Sequence, residues 1–338
     1  MTTTAPPGFV ASATQTTELD ARPGDTPWIG PKGQVMRRLE LHLTYHCPER
    51  CVFCSEDHRM TRYNRFKVTW GRVAKILRIH AERGVRNVHI TGGEPTIHPR
   101  FVDVLRLAKK LGMRTSIGTI GTMLARPDFA AKAVPFLDEA LFSIHGPDAP
   151  THDAVARREG SFDRVTAAMR NCLALKPDFK AFANTVLCTH NVEKLPDTVE
   201  MLDRMGARLV VVSNTTPEGA AWDHFSELTV PLHTLARVLP QVPGRAKHAV
   251  VRFFGVPMCL LGPHWAQSND LHWDPRVTVE WQSAPGKVAF TGIYSWAPDR
   301  RRQHVSGCDG CARKSMCMGV YDAVADGHDL TALTPFEG

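Results

Sequence analysis

Apolar and polar residues alternate through Leu39-Glu40-Leu41-His42-Leu43, the period of two expected of a strand with one buried face. A helix is expected from Trp70 to Gly84, ending on a glycine that can take a left-handed cap, and Asn87–Ile90 reads as the next strand. Phe101, Val104, Leu105, Ala108 and Leu111 recur at helical spacing and stop at Gly112. Thr115–Ile120 and Ala140–Ile144 are the third and fourth strands, and a helix follows over Phe162–Leu175. Phe182–Cys188 and Leu209–Ser213 complete six strands; between them Leu195, Val199, Leu202 and Met205 mark a helix that ends at Gly206.

This alternation with short connections predicts an α/β fold, a parallel sheet with helices outside it. Six units are too few for an eight-unit closed barrel, so a partial (β/α)6 barrel is expected, with its chemistry at the C-terminal ends of the strands. Residues 1–34, rich in Thr, Ala, Pro and Gly, read as a flexible leader, 35–220 as the barrel and 221–250 as a helical connector. Residues 251–338 carry short β-like runs, several Trp and many Gly and Pro, and are expected to form a smaller second domain.

With 43% hydrophobic and 22% charged residues, the 338-residue chain has a globular composition, not a disordered one. It lacks both a long apolar run and a basic-then-apolar N-terminal signal, which predicts no membrane span and a cytoplasmic location. Lys+Arg number 41 against 34 Asp+Glu, a balance of +7. The only short basic run, Arg300-Arg301-Arg302, reads as a solvated loop, so nucleic acid is not an expected partner. Nine cysteines, an odd number, argue against a disulfide framework. Six of them fall into two clusters, which points to two metal sites.

Cys47, Cys51 and Cys54 lie on the loop directly after the first expected strand. Three thiolates cannot complete the coordination of a four-iron cube, so one iron stays open to a further ligand. A zinc site would need a fourth donor, which His46 or His58 can supply. The CxxxCxxC spacing, with Phe53 before the last cysteine, closely resembles the signature of the radical S-adenosylmethionine (SAM) superfamily. The resemblance extends to Gly92-Gly93-Glu94-Pro95 at the end of the second strand, similar to that family's GGEP motif, and covers about residues 38–220. It implies that Cys47, Cys51 and Cys54 hold a [4Fe–4S] cluster whose open iron binds SAM. It further implies that Gly92, Gly93, Glu94 and Pro95 hold the methionine amino group and that Phe53 lies near the adenine. Thr119-Ile120-Gly121 stands where the family often has Thr-Asn-Gly, and Ser143-Ile144-His145-Gly146 resembles a segment whose serine contacts SAM. Thr119 and Ser143 therefore join the expected SAM contacts. His152-Asp153 and Gly160-Ser161-Phe162 also follow the family pattern.

Cys308-Asp309-Gly310-Cys311, followed by Cys317, reads either as a zinc knuckle or as part of an iron–sulfur site. With the isolated Cys259, four thiolates would complete a fully protein-ligated [4Fe–4S] cluster. The arrangement resembles a short version of the SPASM and twitch auxiliary-cluster domains; Tyr321 stands where the full pattern has a further cysteine, so one auxiliary cluster is implied. Cys172 is expected in the core. Cys188 reads first as core packing and His145 as a structural or SAM-adjacent residue; hydrogen-atom donation by Cys188 and a base role for His145 are the catalytic alternatives.

The resemblance implies reductive cleavage of SAM to a 5′-deoxyadenosyl radical, which abstracts a hydrogen atom from an unactivated C–H bond. A reductant such as flavodoxin or ferredoxin is the expected partner, and the auxiliary cluster would accept an electron or anchor the substrate. The first expectation is a small natural-product or sugar-like substrate undergoing dehydrogenation or epimerisation. The short, unpatterned leader favours this over a peptide maturase carrying a leader-binding domain. Maturation of a ribosomally made peptide is the alternative, and RNA modification stands third.

Overall fold

The computed structural model describes residues 29–337, apart from Pro31 and Pro285. Most of the leader expected over residues 1–34 therefore lies outside the described residues. Six parallel strands follow in chain order: β1 (Arg38–Thr44), β2 (Asn87–Gly92), β3 (Arg114–Thr119), β4 (Glu139–Ser143), β5 (Lys180–Leu187) and β6 (Leu209–Asn214). Helices α1 (Asp57–Tyr63), α2 (Trp70–Glu82), α3 (Phe101–Lys110), α4 (Pro127–Ala133), α5 (Ala149–Ala156), α6 (Ser161–Leu175) and α7 (Leu195–Arg204) lie between them. All six expected strands and all four expected helices are present. The helices α1, α4 and α5, at 7, 7 and 8 residues, are too short to impose a 3.6-residue pattern on the sequence.

The sheet is open and has nine strands, in the order β7-β6-β5-β4-β3-β2-β1-β8-β9. Strand β7 (Val250–Phe254) extends it beyond β6, and β8 (Arg276–Ala284) pairs in parallel with β1. β9 (Lys287–Ser295) then returns antiparallel to β8. The segment expected as a smaller second domain over 251–338 thus gives strands to both edges of the main sheet. Residues 221–250 run through short helical turns before β7.

One face of the sheet is the core. Leu39, Leu41, Ile90, Ile117, Phe142, Val210 and Val212 are fully buried in one cluster with Ile76 and Leu77 of α2, Leu105 of α3, Met169 of α6 and Leu202 of α7. Each such side chain contributes roughly 1.5–3 kcal/mol relative to exposure. The alternate residues face inward, and on β5 and β6 they are half-buried: Phe182, Asn184 and Val186, then Leu209, Val211 and Ser213. This inward face carries mixed polar and apolar side chains. Towards β1 it holds a buried polar network in which His89 Nδ1 lies 2.7 Å from Ser116 Oγ and Arg276 donates to Glu40 at 3.2 Å. Burial acts to raise the Glu40 carboxyl, but the charges of Arg276, His89 and Arg38 hold it down at about 2.

Candidate functional site

The C-terminal ends of β1 and β2 meet at a contact that only glycine permits. Gly92 has φ +116°, and a Cβ there would lie 2.3 Å from the Thr44 carbonyl oxygen; a Cβ at Gly93 would lie 2.2 Å from that of His46. The close approach lets Gly93 N donate to Thr44 O at 2.7 Å and Glu94 N to His46 O at 2.8 Å. The Gly-Gly turn is thereby locked to the start of the cysteine loop. Farther along, the loop is fixed by Val52 N donating to Val155 O at 3.0 Å and by Ala220 N donating to Cys54 O at 2.9 Å.

Cys47, Cys51 and Cys54 are partly buried on this loop. Burial pushes the Cys47 and Cys54 thiols up to about 12 and raises Cys51 well above the ordinary thiol range, and neighbouring thiols add to the rise at Cys51 and Cys54. Dry thiols are poor anions alone and become thiolates when a metal supplies the positive charge. The donor set therefore fits an iron–sulfur cluster. Among the described residues, no three cysteine thiols lie within 4.8 Å of one another.

Glu94 is fully buried, and its carboxylate accepts from Thr119 Oγ1 at 2.8 Å, Ile120 N at 2.8 Å, Thr96 N at 3.2 Å and the Thr96 hydroxyl. Burial raises this carboxyl, and the hydrogen bonds oppose the rise. The side chain expected to meet an ammonium group is thus also a brace that joins the ends of β2 and β3. Ser143 is half-buried at the end of β4, paired in register with Asn184, whose Oδ1 accepts from Ser213 Oγ at 2.7 Å. Phe53 packs edge-on against His145 with ring centroids 4.7 Å apart.

A relay that sequence reading missed runs behind the loop. Cys51 Sγ lies 3.7 Å from Glu49 Oε2, the Ser161 hydroxyl donates to Glu49 Oε1, and His152 Nε2 is 3.2 Å from Ser161 Oγ. Glu49 is buried, with burial pushing its carboxyl up to about 7 against the Ser161 hydrogen bond. Its only signal in the sequence was a charge inside the cysteine motif. His145 N donates to His152 Nδ1 at 3.0 Å, and Val186 N donates to His145 Nδ1 at 3.2 Å. His145 is therefore enclosed with its Nδ1 engaged, and burial holds its pKa well below the ordinary value. Cys188 is sealed in a small apolar cluster with Val52, Val155, Ala221 and Leu228. Asp153 accepts from Gly160 N at 2.7 Å and Phe162 N at 2.8 Å, which accounts for that pair of motifs as the clasp that starts α6.

Cys259, Cys308, Cys311 and Cys317 line one cavity, closed on another side by Leu333 and Phe336. Burial pushes Cys259 up to about 11, with the other three thiols adding to the rise. Four soft donors around a cavity fit a closed cluster. The Cys-rich segment is anchored by Arg302, which meets Asp270 at 2.8 Å in a pair only 1% and 0% exposed and donates to Gly319 O at 2.9 Å. Arg301 stacks over Trp222 at 4.4 Å, and Arg300 pairs with Glu218. Of the arginine run expected as a solvated loop, Arg300 is exposed, whereas Arg301 and above all the buried Arg302 act as fastenings, because carboxylates distant in sequence meet them.

An open parallel sheet with a three-thiol loop after its first strand and a glycine-locked turn after its second defines a radical SAM domain. Residues 41–202 match the Radical SAM superfamily, whose members bind a [4Fe–4S] cluster and SAM. Similar proteins include the PqqA peptide cyclase of Rhodopseudomonas palustris, 30% identical over 59% of this chain and 51% of its own length. The probable GTP 3′,8-cyclase of Thermoplasma volcanium is 26% identical over 76% of this chain and 72% of its own. Streptococcus suis SuiB bound to S-adenosylmethionine shares the fold, with a TM-score of 0.58 and 16% identity over 90% of this chain and 76% of SuiB. The chain spans about half the length of the PqqA peptide cyclases it matches. Among the described residues no helix is long and apolar enough to cross a membrane.

Proposed function

We propose that this chain is a radical SAM maturase that acts on a ribosomally made peptide. Cys47, Cys51 and Cys54 hold the cluster that binds SAM, and Cys259, Cys308, Cys311 and Cys317 hold one auxiliary [4Fe–4S] cluster. When bound, these groups supply reductive cleavage of SAM, hydrogen-atom abstraction from the substrate and an acceptor for its remaining electron. The Gly92–Pro95 turn, braced by the Glu94 carboxylate, presents its backbone to the methionine ammonium. Thr119 holds Glu94, Ser143 and Phe53 flank the rest of SAM, and a flavodoxin or ferredoxin supplies the electron.

The observation that carries the site assignment is the three-thiol loop locked to the Gly92–Gly93 turn. The reading of the substrate rests on the matching PqqA peptide cyclases, and it replaces the small, sugar-like substrate as the first expectation. The half-buried inward face of β4–β6 supports it, since its mix of Leu141, Asn184, Val186 and Ser213 suits an extended chain with varied side chains. Relatives of both kinds are named cyclases, which supports ring closure as the reaction type over dehydrogenation or epimerisation. A small-molecule substrate is the second reading, favoured by the larger share of the chain that matches the GTP 3′,8-cyclase.

The test is anaerobic incubation of the reduced protein with SAM and, in parallel reactions, candidate precursor peptides or GTP. The expected result is peptide-dependent 5′-deoxyadenosine and a product lighter by two hydrogens. An unchanged peptide alongside consumption of a nucleoside triphosphate would replace this reading with the second.

A further inference from the structure

Three ionisable side chains left unused by the iron–sulfur sites meet between β1, the cysteine loop and β8. His42 lies on the inward face of β1, Glu56 follows Cys54 by two residues, and Glu280 stands on the adjoining β8. His42 Nδ1 is 3.5 Å from Glu56 Oε2 and 3.4 Å from Glu280 Oε2. All three residues place a ligand atom within 4.8 Å of the others. His42 Nδ1 and Glu56 Oε2 are both buried, and neither makes a hydrogen bond. The side chains of His42 and Glu280 are 6% and 3% exposed.

The outer oxygens are already occupied. Arg59 donates to Glu56 Oε1 at 2.6 Å and approaches Glu280 Oε1 at 3.6 Å, and Gln282 also donates to Glu280 Oε1. Each carboxylate is thus fixed through one oxygen and turns the other towards a single imidazole nitrogen, as outer donors fix the carboxylates of metal sites. Glu56 and Glu280, whose side chains are 21% and 3% exposed, feel the charges of both Arg59 and Arg300, and Glu56 Oε2 still lacks a hydrogen-bond partner beside His42 Nδ1, where a further positive group is tolerated. The spacing also fits. An ion held at roughly 2.1 Å by nitrogen and oxygen keeps those donors roughly 3.0–3.5 Å apart at octahedral to tetrahedral angles.

We propose that His42 Nδ1, Glu56 Oε2 and Glu280 Oε2 form a divalent-cation site separate from both cysteine clusters. One nitrogen and two carboxylate oxygens suit Mn2+, Fe2+ or Zn2+. Three protein ligands leave positions open for water or for an oxygen of the substrate. The ion would tie β1, the loop bearing Cys54 and the β8–β9 hairpin at one point. The site stands on oxygen and nitrogen donors and does not depend on what the cysteines bind.

Mn2+ is the probe, because its hard character disfavours the thiolates. It is titrated anaerobically into the reconstituted protein with its clusters in the oxidised, EPR-silent state, and the six-line signal of free Mn2+ is followed. The expected result is one bound Mn2+ per chain, displaced by Zn2+ and showing hyperfine coupling to one histidine nitrogen. His42→Gln and Glu280→Gln should each weaken binding about ten-fold or more, with cluster absorbance and iron content unchanged. Mn2+ that stays free with the wild-type protein, that lacks nitrogen coupling, or that binds both variants as tightly overturns the proposal. If a variant loses its iron, the wild-type titration and its nitrogen coupling decide alone.

Discussion

Glu94 shows how one residue can meet an expectation and exceed it. Its place after two glycines was legible as part of a ligand-holding turn, but its bonds to Thr96, Thr119 and Ile120 were not, because they cross from β2 to β3. Glu94→Ala strands buried donors, each costing about 1–3 kcal/mol. Denaturant unfolding should therefore show a loss of that order, and equilibrium dialysis weaker SAM binding; unchanged stability would contradict the brace. His89 carries a second residue-level prediction. Burial, and then the charge of Arg38, push its pKa down to about 3, whereas the unfolded chain takes up the proton near ~6.5. Stability from the neutral ring is whole above that value and falls as pH drops towards 3, by up to about 1.4 kcal/mol per pH unit. Urea melts at pH near 7 and near 5.5 should show a smaller acid loss for His89→Gln than for wild type, by about 1 kcal/mol. Equal losses would place the proton elsewhere.

The elements that carry the site were readable because period and punctuation agree. Strand β2 ends in Gly92-Gly93, α3 stops before Gly112, and α7 ends before Gly206, so each turn had a physical cause visible in one dimension. What stayed hidden was long-range pairing. Nothing in residues 276–284 says that they lie beside β1, and the short run Val250–Phe254 does not announce an edge strand parallel to β6. The Arg300–Arg302 run was misread for the same reason, since Asp270 and Glu218 are remote partners. Locally, the clash geometry gives a sharp expectation. Gly92→Ala must move the Thr44 carbonyl, which a Cβ would approach at 2.3 Å. Iron analysis of the variant should show the first cluster depleted and the second retained. Full retention of both would mean that the glycine contact does not shape the loop.

Across the whole molecule, the nine cysteines divide by environment. Three lie on the loop between β1 and α1, four line a cavity closed by the C-terminal segment, and Cys172 and Cys188 are buried among apolar neighbours. The nine-strand sheet puts these sites on one scaffold, because β7 leads directly to Cys259 and the β8–β9 hairpin leads to Cys308. The proposed division gives the SAM chemistry to the three-thiol site and none of it to the four-thiol site. Release of 5′-deoxyadenosine from SAM by the dithionite-reduced protein, compared among wild type, Cys51→Ala and Cys308→Ala, tests it most directly. Wild type and Cys308→Ala should both release it while Cys51→Ala releases none; release by Cys51→Ala, or none by wild type or by an iron-loaded Cys308→Ala, would overturn that division.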